Sequence, residues 1–274
     1  MSYKTISTLS IALATLLTLS ACNNTATVKT DTTSPTPVIT STSKVSNDIY
    51  SSWSYAGESG PDHWADLEGN QQCKLGKEQS PINITEVMQS TNQAPKPNYM
   101  RSDIGIEDNG HTIVFKPKND NNTTVIDGES YNLIQFHYHI PSEHQISGIN
   151  YPGELHFVHA NKQGELAVIG VMVNPTSMNN TSLHSLFLNG FDDISSHKSV
   201  VNGFDLSTLL PTDTEFYNYS GSLTTPPCSE HVKWFVASKP LSISQQEIQS
   251  MKQLYDGNNR PIQPIENREV KLVK

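Results

Sequence analysis

Three histidines in this 274-residue chain have the types and spacing of metal ligands. His137 and His139 lie two positions apart in residues 131–140 (YNLIQFHYHI), and His156 follows in residues 154–160 (ELHFVHA). If both segments are strands, alternate side chains share a face, and antiparallel pairing brings His156 opposite the other two. Three imidazoles with an open fourth position are typical of a catalytic zinc ion. The spacing therefore predicts a three-histidine zinc site on one face of a sheet.

The neighbours of these histidines support the same interpretation. A metal-binding imidazole needs an acceptor for its second ring nitrogen. Gln135 and Glu154 each precede a predicted ligand by two residues and share its face, so we expect them to be those acceptors. An isolated H-x-H pair is more typical of ordinary cross-strand histidines, but a third histidine with a carboxylate beside it favours metal. His159 falls on the opposite face and is excluded, and His144 in the connecting loop is interpreted as structural.

The elements that position these residues are mostly strands. Short apolar segments between Gly, Asn and Asp turns predict strands at residues 112–116, 124–126, 131–140, 154–160, 166–173 and 231–238. In the strand predicted at residues 131–140, we expect the face that packs on the core to carry Ile134, Phe136, Tyr138 and Ile140. Helices are expected at residues 244–255, with Ser244 as N-cap and Glu247 completing a capping box, and near residues 182–188. The pattern predicts a mainly β (α+β) single domain around a large twisted, mostly antiparallel central β-sheet with a few short peripheral helices.

Composition limits the partners. Lys and Arg number 18 against 27 Asp and Glu, which gives a formal net charge of −9. An acidic chain without a basic run argues against nucleic acid or an anionic membrane surface as the main partner. The hydrophobic fraction is a low 35%, which predicts that a polar, unfolded segment dilutes the average. Three cysteines leave two alternatives, one pair with one spare or three free thiols.

The N-terminus carries an export signal. Residues 6–19 are apolar but too short to span a bilayer, which predicts a secretory signal over residues 1–21. The end of this segment, LSAC, resembles the lipobox of bacterial lipoproteins, in which the chain is cut before the cysteine and the cysteine is lipidated. That resemblance implies a lipid anchor at Cys22 and a place in the bacterial cell envelope, facing the periplasm or the outer surface. The alternative is an ordinary cleavage site beside a chance cysteine.

Residues 22–48 follow the signal and are dominated by Thr and Ser, with two prolines and no periodicity. We interpret them as the lipidated cysteine and a flexible tether. No composition break divides the remainder, so residues 49–274 are expected to form the catalytic domain.

Seven motifs in order carry a family resemblance: QSPINI (79–84), NGH (109–111), QFHYH (135–139), SEH (142–144), ELHFVH (154–159), SLTTPPC (222–228) and NNRPIQP (258–264). With them the chain, from Trp53 onward, resembles the α-carbonic anhydrases, and most closely their bacterial secreted members. The resemblance implies a Zn²⁺ enzyme that hydrates carbon dioxide reversibly to bicarbonate and a proton, with side esterase activity. Zinc-bound hydroxide is the attacking group in that family.

The resemblance also implies residue roles. The zinc ligands match His137, His139 and His156. Thr224 matches the residue that accepts a hydrogen bond from the hydroxide, and Glu143 matches the acceptor of the Thr224 hydroxyl proton. His111 matches the proton shuttle, a role for which an imidazole suits because its ordinary pKa is near neutrality. The residues matching the substrate pocket and its ordered water are Val158, Val168, Leu223, Thr225, Trp234 and Tyr55.

Two further positions bear on this resemblance. Cys73 and Cys228 match the disulfide of secreted members, which leaves Cys22 as the anchor. Val114 departs from the pattern, because secreted bacterial members usually carry Gln there, on the hydrophilic wall. Either the local register shifts, or the water network loses a polar partner. A homodimer is left open.

Two other function classes fit the sequence less well. Some family members have lost zinc ligands and act as recognition domains, but here all three histidines, Glu143 and Thr224 are present. A different zinc hydrolase is the other alternative, and the absence of H-E-x-x-H argues against a metallopeptidase.

Overall fold

A large β-sheet dominates the computed structural model, which describes residues 53–177, 186 and 198–274. The predicted signal (1–21), Cys22 and the predicted tether (22–48) lie outside the described residues. So does the helix predicted near 182–188, apart from the helical and buried Leu186.

The described elements are short and mostly extended. The strands are β1 (Asn83–Ile84), β2 (Met88–Gln89), β3 (Lys96–Asn98), β4 (Arg101–Asp108), β5 (Ile113–Pro117), β6 (Thr123–Ile126), β7 (Glu129–His139), β8 (Gln145–Ile146), β9 (Gly153–Ala160), β10 (Leu166–Thr176), β11 (Lys198–Asp205), β12 (Phe216–Ser222), β13 (Glu230–Ala237), β14 (Leu241–Ser244) and β15 (Lys271–Val273). The α-helices are α1 (Gln72–Leu75) and α2 (Gln245–Leu254). Short 3₁₀ turns lie at Gly57–Ser59, Pro61–Asp66 and Leu206–Leu209.

Thirteen of these strands form one sheet. Its main path runs β11-β4-β5-β7-β9-β10-β13-β12-β15-β2, while β14 pairs with β10, and β6 pairs with β3 and β7. Most pairings are antiparallel, but β10 is parallel to both β13 and β14, and β15 is parallel to β2. A separate parallel pair joins β1 to β8. The expected mainly β fold around a mostly antiparallel sheet is confirmed. The sequence did not predict the parallel pairings.

Each of the six predicted strands has a counterpart, but the face assigned to Ile134 is wrong. The register of β7 against β9 shifts between Leu133, which faces His159, and Gln135, which faces Val158. The extra residue is Ile134, and it is 52% exposed. A bulge of this kind breaks the two-residue alternation, so Leu133 is buried in place of Ile134.

The apolar face of the sheet packs the largest core. Three strands that are neighbours in the sheet, β5, β7 and β9, contribute Phe115, Phe136 and Phe157. The ring centroids are 4.8 Å apart for Phe115 and Phe136 and 5.4 Å apart for Phe136 and Phe157. The predicted helix packs against this core through Ile248 and Met251. No helix among the described residues is long and apolar enough to cross a bilayer.

The start of α2 shows the predicted capping box. The Ser244 hydroxyl accepts from the backbone N–H of Glu247, and the Glu247 carboxylate accepts from the backbone N–H of Ser244. Two of the otherwise unpaired donors at the helix start are satisfied in this way.

Candidate active site

The three predicted ligands meet on the polar face of β7 and β9. His137 lies directly opposite His156 in the antiparallel pairing, and His139 lies opposite Glu154. One ring nitrogen from each histidine falls within 4.8 Å of the other two. His139 and His156 are buried, and His137 is partly exposed. The alternation that placed the three imidazoles on one face therefore also brings them together in space.

Outer acceptors orient two of these rings as the spacing predicts. Nδ1 of His137 lies 2.8 Å from Oε1 of Gln135. Nε2 of His156 lies 3.0 Å from Oε1 of Glu154, although the contact lacks the geometry of a hydrogen bond. Because an ionised carboxylate attracts an N–H, Glu154 favours the tautomer of His156 that carries its proton on Nε2.

His139 has an acceptor that the sequence interpretation did not assign. Its Nδ1 donates to the backbone carbonyl of Asn258, at 2.6 Å. The NNRPIQP motif contained this residue, but a main-chain contact leaves no signature in the type of side chain. The opposite nitrogen of His139, Nε2, is buried and has no hydrogen-bond partner.

A buried network extends behind Glu154. Nδ1 of His144 lies 2.8 Å from Oε1 of Glu154, and Nε2 of His144 lies 2.6 Å from the Tyr219 hydroxyl. The backbone N–H groups of Glu143 and His144 donate to the other carboxylate oxygen. Burial acts to raise the pKa of Glu154, but His144 and His156 outweigh it, so the pKa lies well below its ordinary value. His144 is thus structural as predicted, since it holds Glu154 in its ionised form.

The donor set fits a zinc ion. Burial lowers the pKa of His137 well below its ordinary value, lowers that of His139 to about 4, and lowers that of His156. Neutral imidazoles are the form that binds metal. An orphaned buried nitrogen on His139 costs free energy unless something binds it. Three convergent neutral nitrogens with acceptors behind them match a catalytic zinc site.

Glu143 lies behind the histidines and faces Thr224. Its Oε1 accepts from the backbone N–H of Arg260 at 2.7 Å, and its Oε2 is 3.5 Å from Nε2 of His139. Burial raises the pKa of Glu143 to about 7, although His156, the Arg260 N–H and the Thr224 hydroxyl each lower it. The Thr224 hydroxyl is therefore close enough to this carboxylate to stabilise its charge.

Arg260 is a second residue that the sequence interpretation left without a role. Its side chain is 2% exposed and donates to Gln79 and to the backbone carbonyls of Ser80 and Cys73. Cys73 forms a disulfide with Cys228, as the resemblance implied. The guanidinium thus joins the disulfide region to the segment that contacts Glu143.

Together with Tyr55 and Asn258, His111 lines a cavity of about 420 Å³. The Trp53 ring stacks on it at 3.6 Å between centroids, a contact that the sequence interpretation missed. The Tyr55 ring lies 6.4 Å from the His111 ring and 6.5 Å from the His139 ring, so it neighbours both. Burial lowers the pKa of His111, and Asp108 opposes that shift. The pKa of Tyr55 is raised well above its ordinary value by burial, so the hydroxyl stays protonated.

The predicted pocket residues form an apolar wall next to His156. Val158, Val168, Leu223 and Trp234 belong to one apolar cluster, in which Val168 pairs with Val158 on one side and Trp234 on the other. The Trp234 ring is 4.9 Å from the His156 ring. The loop after β12 is closed at the Thr225 carbonyl, which accepts from the N–H of Cys228 at 2.9 Å.

Val114 lies opposite His137 in the pairing of β5 with β7. The pairings of β5 with β4 and β7 show no register shift, and Val114 is 7% exposed. The strand is thus regular around Val114, and an apolar side chain occupies the cross-strand position next to His137.

Comparison with known proteins agrees with this geometry. The sequence model of the eukaryotic-type carbonic anhydrase family matches residues 59–274. A carbonic anhydrase of Neisseria gonorrhoeae is 39% identical over 220 residues, which is 80% of this chain and 86% of that protein. The α-carbonic anhydrase of Photobacterium profundum superposes with a TM-score of 0.73 at 36% identity, covering 80% of this chain and 99% of that one. The enzyme of Thermovibrio ammonificans, solved with the inhibitor sulfanilamide, superposes with a TM-score of 0.75 at 37% identity, covering 80% and 98%.

Proposed function

The chain belongs to the eukaryotic-type, or α, carbonic anhydrase family, and from that premise we propose that its active site is a zinc centre held by His137, His139 and His156. It catalyses the reversible hydration of carbon dioxide to bicarbonate and a proton. The observation that carries the metal assignment is the cluster of three neutral ring nitrogens within 4.8 Å of one another.

The metal would supply one kind of chemistry. When bound, zinc acts as a Lewis acid that lowers the pKa of a coordinated water to about 7, a value known for carbonic anhydrases as a class. Gln135, Glu154 and the Asn258 carbonyl hold the ligand rings in the tautomers that this binding needs.

Thr224 and Glu143 orient the nucleophile. The Glu143 carboxylate, fixed by the Arg260 N–H, accepts the hydrogen bond that the Thr224 hydroxyl donates. The Thr224 oxygen then presents only lone pairs to the cavity and accepts a hydrogen bond from the attacking oxygen. That direction points a lone pair of the nucleophile at the carbon of the substrate. Thr225 follows beside the same site.

The apolar wall receives the substrate. Carbon dioxide is uncharged and makes weak hydrogen bonds, so Val158, Val168, Leu223 and Trp234 offer it a surface that water leaves readily. The wall borders His156, which keeps the substrate carbon next to the nucleophile.

His111 carries the product proton to solvent. It is only partly buried, it lines a cavity, and the Tyr55 ring lies near both His111 and His139. The Tyr55 hydroxyl orders the water through which the proton travels, because it stays protonated and can donate. Stacking on Trp53 restricts the orientation of the imidazole.

Two alternative functions are weaker. A recognition domain without catalysis does not require three neutral histidines that converge on one point. It also gives no reason for the buried Nε2 of His139 to lack a hydrogen-bond partner. A different zinc hydrolase is disfavoured because the relatives that match over most of the chain are carbonic anhydrases.

A stopped-flow hydration assay combined with metal analysis tests the proposed function. We expect one zinc per chain, rapid hydration of carbon dioxide, and inhibition by sulfanilamide. His137→Gln should lose both zinc and activity, whereas the matched control His231→Asn changes a histidine that is 91% exposed and should keep both. Zinc-loaded protein without hydration activity would overturn the proposal.

The cellular location is part of the proposal. A lipid on Cys22 would hold the domain in the bacterial cell envelope, facing the periplasm or the outer surface, and residues 22–48 would serve as the tether. What supports this is the apolar segment that ends in LSAC, followed by a Thr- and Ser-rich stretch. A homodimer is a further possibility for this family, and sedimentation of the purified domain measures it.

A further inference from the structure

The turn that carries His111 is fixed internally. Oδ1 of Asn109 accepts from the backbone N–H groups of His111 and Thr112, each at 2.9 Å. Gly110 has a φ of +83° and donates to Asp108 at 2.9 Å. Because these bonds close the turn on itself, the place of His111 relative to the zinc ligands depends on what ties the whole turn to β7.

In addition to the pairing of β5 with β7, two side chains tie the turn to β7 at a single atom. The backbone carbonyl of Tyr138 accepts from Oγ1 of Thr112 at 2.7 Å and from Nδ2 of Asn258 at 3.0 Å. Tyr138 lies between the ligands His137 and His139 in β7. Both donor residues are nearly inaccessible, at 5% and 2% exposed. Water therefore cannot readily replace either bond.

Asn258 also reaches both ends of the proton path. The side-chain Nδ2 of Asn258 lies 3.2 Å from the backbone carbonyl of His111. The backbone carbonyl of Asn258 accepts a hydrogen bond from the proposed zinc ligand His139. Its Oδ1 accepts from the N–H of Ile140 at 2.8 Å. One side chain thus bonds to the shuttle turn and to the strand that carries the ligands.

We infer that Thr112 and Asn258 are positioning residues for proton transfer, which hold the His111 turn at a set distance from the zinc ligands. The inference rests on the proposed function, in which His111 accepts the proton through ordered water. Transfer through a water requires each partner to be within hydrogen-bond reach of it, so a small displacement of the turn lengthens the path and slows the transfer.

The kinetic consequence separates positioning from general support. Proton release follows bicarbonate formation, so a displaced shuttle lowers kcat. The ratio kcat/KM for carbon dioxide depends only on the steps before proton release and should stay unchanged. A free imidazole in solution can replace a badly placed shuttle. A variant that merely loosens the fold would lower both constants and would gain nothing from imidazole.

Thr112→Val and Asn258→Ala test the inference. Val has nearly the shape of Thr and removes only the hydroxyl. Asn258→Ala keeps the backbone carbonyl that accepts from His139. Each variant should lower kcat roughly three- to tenfold in weak buffer, because a displacement well under 1 Å is enough for such a loss. Imidazole should restore kcat, and kcat/KM and zinc content should remain near the wild-type values. The matched control Asn259→Ala changes a neighbouring asparagine and should alter none of these.

A spectroscopic measurement complements the kinetics. In zinc-loaded protein labelled with ¹⁵N-histidine, the ring signals of His111 should shift in both variants, and those of the three ligands should stay in place. Equal losses of kcat and kcat/KM, loss of zinc, or an unmoved His111 signal with wild-type kcat would overturn the inference. Absence of hydration activity in the wild-type protein would instead refute the proposed function.

Discussion

Val114 and His137 face each other across the β5–β7 pairing, so a predicted zinc ligand has an aliphatic side chain as its cross-strand neighbour. Val114 also follows His111 by three residues along the chain. It therefore lies close to both the ligand cluster and the proposed shuttle, and its side chain offers no hydrogen bond to water.

Replacing Val114 by Gln should raise turnover. A polar side chain at this position would give the water path another partner, and we expect kcat to rise about twofold to fivefold, with kcat/KM unchanged. Stopped-flow kinetics at several buffer concentrations measure the effect. Val200→Gln is the control, because Val200 is 53% exposed on the edge strand β11. A turnover that stays the same or falls in a stably folded Val114→Gln protein would contradict the prediction.

His111→Ala should slow turnover mainly in weakly buffered solution. Without the imidazole, the proton must leave directly to solvent or buffer, so we expect a loss of roughly tenfold or more in kcat that added imidazole partly restores. The measurement is kcat against buffer concentration. If the loss is as large at high buffer concentration as at low, His111 is not the shuttle. Exposed His63 offers a matched control in His63→Ala.

Loss of the Cys73–Cys228 disulfide should reduce stability and activity together. The bond closes a loop of 155 residues, for which the chain-entropy model gives about 5 kcal/mol of unfolding free energy. Activity should fall because the disulfide tethers the segment that follows Thr224 to Cys73. Urea unfolding of a Cys73→Ala/Cys228→Ala variant measures the first effect. A phosphine reductant should reproduce it in the wild-type protein and have no effect on the variant; equal stability of the two proteins would contradict the prediction.

His159 should make the folded state sensitive to acid. The imidazole is buried, with Nε2 2.7 Å from the Tyr99 hydroxyl, and burial lowers its pKa from 6.5 to about 4. Above pH 6.5 both states are neutral and the residue contributes no pH dependence. As pH falls from 6.5 to 4, the unfolded chain gains a proton that the folded state refuses, so stability is lost.

The size of this effect follows from linkage. Between pH 7 and pH 4.5 the wild-type protein should lose about 2–3 kcal/mol more unfolding free energy than His159→Gln, which keeps a hydrogen-bonding side chain without a titrating ring. Urea titrations at both pH values give the difference. The ligand histidines titrate in both proteins, so their contribution cancels. Parallel losses in the two proteins would show that His159 is not the acid-sensitive group.

Cys22→Ser should abolish lipid attachment. Expressed in a bacterial host, the wild-type chain should incorporate labelled palmitate and sediment with membranes, and the variant should do neither, because the Cys22 thiol is the acylation site in the proposed lipid anchor. The Cys73→Ala/Cys228→Ala variant controls for cysteine loss elsewhere and should remain labelled. Labelled Cys22→Ser would contradict the prediction.

The sequence predicted those features that depend on local alternation. His137, His139 and His156 could be assigned to one face because side chains alternate along strands, and Ser244 with Glu247 could be recognised because capping is local. Ile134 could not be placed, since a bulge adds a residue without a distinctive residue type. Asn258 was missed because it holds His139 through a main-chain atom 119 positions away, a contact that no local pattern encodes.

The long reach of that contact has a consequence for how the protein is made. The ligands lie on β7 and β9, but the carbonyl that orients His139 and the N–H that fixes Glu143 come from Asn258 and Arg260, more than 110 residues later. Contacts between such distant positions form slowly, because a long loop must close first. A chain that is still emerging from the ribosome would contain the three histidines without the backbone groups that orient His139 and fix Glu143. Tight metal uptake is therefore expected only after synthesis of the C-terminal segment is complete.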